Sequence, residues 1–213
     1  MSKYQAGIGY NPTNRPDGFD WDGFWAFTSK QEGFNRLLYA VHFRHYIRLL
    51  KGILPPNPRI LELGAGSGIV ARRISQQWGG RLTLIDANQA ACERYKSLRQ
   101  PHEPIDYVQG DVFSVSFPPV FDLVYSDGLI EHFPVKDTVI AAHLRPLKPS
   151  GHVLLFVPNN SLFFRTLTKL GPDFGYEERY TLSALITLCA DYGLSVLRQT
   201  QYPFAVGVLC QKQ

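Results

Sequence analysis

No apolar run in this chain approaches the roughly 20 residues that carry a helix across a bilayer, and the N-terminal MSKYQAGIGYNPTNRPDGF lacks the hydrophobic stretch of a secretory signal. Those two absences predict a cytoplasmic protein. Cysteine is scarce: Cys92, Cys189 and Cys210 form no CxxC pair and are odd in number, which fits a reducing compartment and argues against structural zinc. They read as buried, inert thiols. Charge is also modest, with 19% charged residues, a formal net charge of +4 and a pI near 9.0. That excess does not mark a nucleic-acid binder without a concentrated patch. The nearest thing to a patch is Arg36, Arg44, Arg48 and Lys51, spaced along a helix whose other side carries Phe34, Leu37, Leu38 and Val41, and it reads as a solvated face. His42, His45, His102, His143 and His152 have no metal-ligand partners at suggestive spacing, so they read as surface or packing residues and no metal is expected.

What the chain has in quantity is apolar and aromatic: 45% and 13% of 213 residues, enough for one domain with a large core. Residues 1–29 show no period and are rich in Gly, Pro, Asn and Asp, which predicts a loop or arm. Within it, GFDWDGFWAF (Gly18 to Phe27) is too aromatic to stay in water, so the arm should fold over the body and cover something. A helical pattern runs from Lys30 to about Leu50 and is stopped by PPNP. The expected organisation is a single domain in which residues 1–50 form a lid and residues 58–213 a core.

Through that core, short apolar runs alternate with helical stretches: RILELG before Ser67–Trp78, RLTLID before Asn88–Arg99, IDYVQGD, FDLVYSD before Pro134–Leu144, and GHVLLFVP before Tyr180–Tyr192. This is the signature of βαβ units in a parallel sheet. LSVLRQTQY and FAVGVLCQK then follow one another across little more than Pro203, a hairpin that adds an antiparallel strand.

The loop after the first strand carries Gly64, Gly66 and Gly68 in a GxGxG spacing; the dinucleotide fingerprint would place its third glycine at Ile69. Glu62, two residues earlier, would oppose a pyrophosphate but suits a cationic ligand such as an ammonium or sulfonium. Asp86, ending the next strand, can accept both hydroxyls of an adenosine ribose, and Asp111 in QGDV can accept from an adenine amino group. Three acids at successive strand ends are far more specific than any one of them.

With these motifs in order, the chain resembles the class I S-adenosylmethionine-dependent methyltransferases, in particular the small-molecule O-methyltransferases of quinone pathways: ILELGAGSG, LTLIDAN, YVQGDVF, FDLVYSDGLIEHF and LKPSGHVLLFVPN match from about residue 58 onward. The resemblance implies a Rossmann-like α/β fold, seven strands ordered 3-2-1-4-5-7-6, the last antiparallel, with helices on both faces. It implies S-adenosyl-L-methionine as cofactor, held by Glu62, Gly64, Ala65, Gly66, Gly68, Asp86, Ala87, Asn88, Asp111, Val112, Ser126 and Asp127. It places His132, with Glu131 beside it, where a general base for the acceptor would stand.

The absence of NPPY or DPPY after the fourth strand, of a Pro-Cys pair and of paired glutamates turns the reading away from amide, cytosine and arginine methylation. The expected acceptor is small and partly apolar, methylated most simply at oxygen. Its pocket is expected among Trp21, Trp25, Phe163, Phe164 and Tyr176, which lie in two aromatic-rich segments. An RNA or protein acceptor docked on the basic helix face, or a cofactor-binding subunit without activity, are the competing readings; a nicotinamide oxidoreductase is disfavoured by the missing glycine.

Overall fold

The computed structural model describes residues 5–6, 19–29, 32–163, 166 and 172–212. Its centre is a seven-stranded sheet whose strands, in chain order, are β1 (Arg59–Leu63), β2 (Arg81–Asp86), β3 (Ile105–Gln109), β4 (Phe121–Asp127), β5 (Leu147–Pro158), β6 (Leu194–Gln201) and β7 (Ala205–Lys212). In space they run β3-β2-β1-β4-β5-β7-β6, and β7 alone is antiparallel to its neighbours. This is the order and sense that the resemblance implied. The central strands are buried on both faces, so they read as apolar runs without alternation, as parallel strands covered by helices do.

Helices that flank the sheet among the described residues include α1 (Trp21–Ser29), α2 (Glu32–Leu50), α3 (Ile69–Trp78), α4 (Gln89–Leu98), α5 (Lys136–Leu144) and α6 (Leu182–Asp191). Two apolar clusters result. One packs Tyr46, Leu49 and Leu50 of α2, Val70 and Ile74 of α3 and Tyr95 of α4 against Ile60, Leu82, Leu84 and Leu123; the other packs Val139 and Ile140 of α5 and Leu185 and Cys189 of α6 against Leu61, Val124, Leu155 and Val208. Gly68 precedes α3 with φ +68, and an added Cβ there would stand 2.9 Å from Tyr95 and 3.0 Å from Leu84, so this glycine sets how closely α3 approaches the sheet. All three cysteines are free and buried.

Two expectations need correction. The arm is not all loop: Asp20 accepts the Gly23 N–H at 2.9 Å and starts helix α1. On α2, the buried side is His42, Tyr46, Leu49 and Leu50, while Val41 is 37% exposed, because the residues that reach the sheet follow the spacing from His42. Arg44, Arg48 and Lys51 are exposed, as a solvated face requires; the side chains of Phe34, Arg36 and Leu37 lie outside those described.

His143 of α5 is fully buried, with Nδ1 2.7 Å from the Val139 carbonyl and Nε2 2.9 Å from Ser126 Oγ. Burial pushes its pKa down to about 4. The unfolded chain therefore takes up the proton first, and stability present above about pH 6.5 drains as pH falls toward 4. A shift of that size is worth about 3 kcal/mol. Between pH 7 and pH 4.5, denaturant melts should show the native protein losing more stability than His143→Gln, by an amount of that order; equal changes in the two would assign the acid sensitivity elsewhere.

Candidate active site

The strand ends at which β1, β2, β3 and β4 emerge open into a cavity of about 790 Å³. Open α/β sheets bind ligands at this edge. Its inner wall is polar and carries Glu62, the Gly64–Ser67 loop, Asp86, Asn88, Asp111 and Asp127; its outer wall is aromatic and carries Phe19, Trp21, Phe24, Trp25, Phe113 and Phe133.

Asp86 is the best-anchored acid. Its Oδ2 accepts the Gly66 N–H at 2.7 Å and its Oδ1 the Asn88 N–H at 2.8 Å. Burial pushes this carboxyl up while the Asn88 and Gly66 N–H bonds pull it back. Glu62 is buried with Oε2 unpartnered, and burial holds its carboxyl well above the usual range, the Tyr125 hydroxyl opposing and the Asp127 and Asp86 charges adding to the rise. Asp111 accepts the Phe113 N–H at 2.8 Å, so it caps its own turn as well as lining the cavity.

The aromatic wall comes largely from α1. Trp21, Phe24, Trp25 and Thr28 stand at helical spacing and all line the cavity. Asn88 Nδ2 donates to Asp22 Oδ1 at 2.9 Å, and the Asp20 N–H donates to the Phe174 carbonyl at 2.7 Å, which joins the two aromatic segments over the opening. At Gly66, φ +53, a Cβ would lie 2.5 Å from the Trp25 ring; the bare backbone is what lets the indole lie there.

His132 sits in a 3-10 turn, Ile130–His132, after β4, with Phe19 and Trp21 ring centroids at 4.3 and 4.8 Å. Its Nδ1 donates to the Tyr176 carbonyl at 3.0 Å, which leaves Nε2 as the acceptor nitrogen. Burial pushes its pKa down to about 4. Glu131 is also buried, its Oε2 unpartnered and its carboxyl raised well above the ordinary range by burial.

The family described as "Methyltransferase domain" matches residues 61–155. Over those residues the chain is similar to methyltransferase domains. It is 28% identical to the sterol 24-C-methyltransferase of Yarrowia lipolytica over 137 residues, 62% of this chain and 36% of the relative. It is 27% identical to the ubiquinone biosynthesis O-methyltransferase of Thiobacillus denitrificans over 119 residues, 54% of this chain and 51% of the relative. Matches to the two thus span about a third and a half of the relatives' own length. In fold it is similar to a chain from the complex of the Haloferax volcanii Trm112 methyltransferase activator with a methyltransferase, at TM-score 0.72 and 15% identity, covering 92% of this chain and 99% of that one.

The resemblance of its motifs implies S-adenosylmethionine as cofactor, and the residues lining the cavity fit that molecule. Asp86 presents a fixed carboxylate of the kind a ribose diol needs. Unpartnered atoms of residues that line the cavity include a carboxyl oxygen at Glu62 and, across from it on the outer wall, an indole N–H at Trp25, complementary to the ammonium and carboxylate of an amino acid.

Of the residues assigned to the cofactor from sequence, Glu62, Gly64, Ala65, Gly66, Asp86, Ala87, Asn88, Asp111, Val112 and Asp127 line this cavity. Ser126 does not: it points to the opposite face of the sheet, where its hydroxyl pairs with His143, since neighbours on a strand face opposite ways. Gly68 acts through helix packing. Trp21 and Trp25 line the cavity, but Phe163 is 57% exposed and packs on Phe204, and Tyr176 is 41% exposed and contributes its carbonyl only. Phe164 lies outside the described residues. Sequence reasoning missed Phe19, Phe24, Tyr39, His42, Tyr202 and Phe204, all at the cavity. The i, i+3, i+4 aromatic spacing behind Asp20 was a signal for α1; nothing local pointed to His42 or Tyr202. Among the described residues no helix is long and apolar enough to cross a membrane, and no cluster of His, Cys, Asp and Glu could hold a metal.

Proposed function

We propose that this methyltransferase moves the methyl group of S-adenosylmethionine to an oxygen of a small, partly apolar acceptor. The observation that carries the reading is the division of one cavity into an acid-lined inner wall and an aromatic outer wall. The cofactor supplies an electrophilic methyl on a sulfonium. Asp86 and Asp111 hold the adenosine end, Glu62 and Trp25 the amino-acid end. The rings of Phe19, Trp21 and Phe24 exclude water and press a planar acceptor toward the centre, which is most of what an in-line displacement requires. The relatives' names include a sterol 24-C-methyltransferase and a ubiquinone biosynthesis O-methyltransferase, both suited to greasy acceptors.

His132 was expected as the base. A pKa near 4 makes it a weak one at neutral pH, so we assign it an orienting role, with Nε2 receiving a hydrogen bond from the acceptor. His132→Ala should raise the acceptor KM more than it lowers kcat; the reverse split would return it to the proton-transfer step.

Incubation with methyl-labelled cofactor and host extract tests the function. Label should enter a small, organic-extractable methyl ether identified by mass. Label in RNA or protein, or on carbon, would overturn the acceptor reading, and no label at all would leave a binding subunit.

A further inference from the structure

At the cavity, three side chains distant in sequence form a continuous hydrogen-bonded chain. His42 comes from α2, Asp127 ends β4, and Tyr202 stands between β6 and β7; all three line the cavity. His42 Nε2 lies 2.6 Å from Asp127 Oδ2, and Nδ1 is hydrogen-bonded to the Tyr202 hydroxyl. The Tyr46 hydroxyl donates to the same Asp127 oxygen at 3.1 Å. With Asp127 Oδ2 as the acceptor, Nε2 carries the hydrogen, Nδ1 is the lone-pair nitrogen, and Tyr202 donates to it. Burial, with the Asp127 charge adding, pushes the Tyr202 hydroxyl up and keeps it a donor. The Phe156 and Tyr46 rings hold the imidazole in place, with centroids at 4.7 and 5.2 Å.

We propose that Tyr202, His42 and Asp127 form the relay that takes the proton from a phenol-type acceptor hydroxyl. Tyr202 touches the acceptor, His42 holds the proton, and Asp127 is the positioning residue that compensates the imidazolium charge. This rests on the methyl-transfer reading and narrows its acceptor class. An aryl hydroxyl, with a pKa near 10, lies within reach of an imidazole backed by a carboxylate, whereas an aliphatic alcohol does not. The acceptor O–H bond breaks and its proton bonds to the Tyr202 oxygen as the Tyr202 proton passes to His42 Nδ1. The acceptor oxygen uses the freed pair to bond the methyl carbon, the methyl–sulfur pair returns to sulfur, and the proton on His42 later leaves to solvent. Titratable groups around His42 are Asp127, Tyr202 and Tyr46, with Tyr39 and His45 about one turn away on α2 and Glu62 beyond Asp127.

The test uses the full chain, labelled cofactor and the acceptor identified from extract. His42→Ala should bind cofactor within about twofold of the native protein and lose about 100-fold in turnover, with part restored by added imidazole; Tyr202→Phe should lose about tenfold without such rescue. The acidic limb of the native pH–rate profile should vanish in His42→Ala. In the free protein, nitrogen NMR should find His42 protonated at Nε2, a preference that Asp127→Asn relaxes. Native turnover in both variants, cofactor affinity lost in step with turnover, or the opposite tautomer would overturn the relay. If the native protein transfers no label to any acceptor, the methyl-transfer reading fails and takes the relay with it; if it does and the variants match it, the relay alone fails.

Discussion

Asp86→Ala should remain folded yet bind S-adenosylmethionine at least about 100-fold more weakly than the native protein. A carboxylate bonded to two ribose hydroxyls contributes about 1.5 to 3 kcal/mol for each bond, and every 1.4 kcal/mol is about a tenfold change in affinity. The side chain also organises the glycine loop, because its two oxygens hold the Gly66 and Asn88 N–H groups. Removing it frees both amides, so hydrogen exchange at Gly66 and Asn88 should quicken in the same variant. Asp86→Asn separates the two contributions: its amide still offers one oxygen, so binding should fall less and one amide should stay protected. Calorimetry on the three proteins decides the matter, and unchanged affinity in Asp86→Ala would remove the ribose assignment.

The sheet was legible because its central strands are buried on both faces and the crossovers from β1 to β2, β2 to β3 and β4 to β5 are helical, so apolar runs and helical periods alternate there. The acids at strand ends were legible for a related reason: a charged residue closing an apolar run has few structural uses. Ser126 shows the limit of that logic. It precedes Asp127 and looks like part of the same motif, but strand alternation turns it to the other face and toward His143. The His42–Asp127–Tyr202 chain was invisible for a different reason. Its members lie 85 and 160 residues from His42, and what joins them is the placement of α2 across the ends of β4 and β7, a tertiary contact with no local pattern. His42 looked like a packing residue because its neighbours on the helix are apolar; it packs, and its two nitrogens carry the polar chain.

Glu62→Gln should move stability and binding in opposite directions, and the sign follows from burial. In the free protein the Glu62 carboxyl titrates well above the usual carboxylate range, with burial the main cause and the Asp127 and Asp86 charges adding to it. The folded chain thus holds this proton more tightly than the unfolded chain does. Its contribution to stability is complete below about pH 4.5 and drains as pH rises through the folded pKa. Without cofactor, the melting temperature of Glu62→Gln, which cannot ionise, should therefore rise relative to that of the native protein on going from pH 5 to pH 8; Glu131, His132 and His143 remain in both proteins and cancel in the comparison. A ligand bearing an ammonium and a sulfonium favours the ionised carboxylate, so binding should expel the proton and tighten as pH rises. Calorimetry in buffers of different ionisation enthalpy should register that release in the native protein and not in Glu62→Gln, whose affinity should be about 10- to 100-fold weaker for want of one charge-assisted bond. Equal proton release from both proteins would mean that another group answers the cation, and the acid that closes β1 would then be structural.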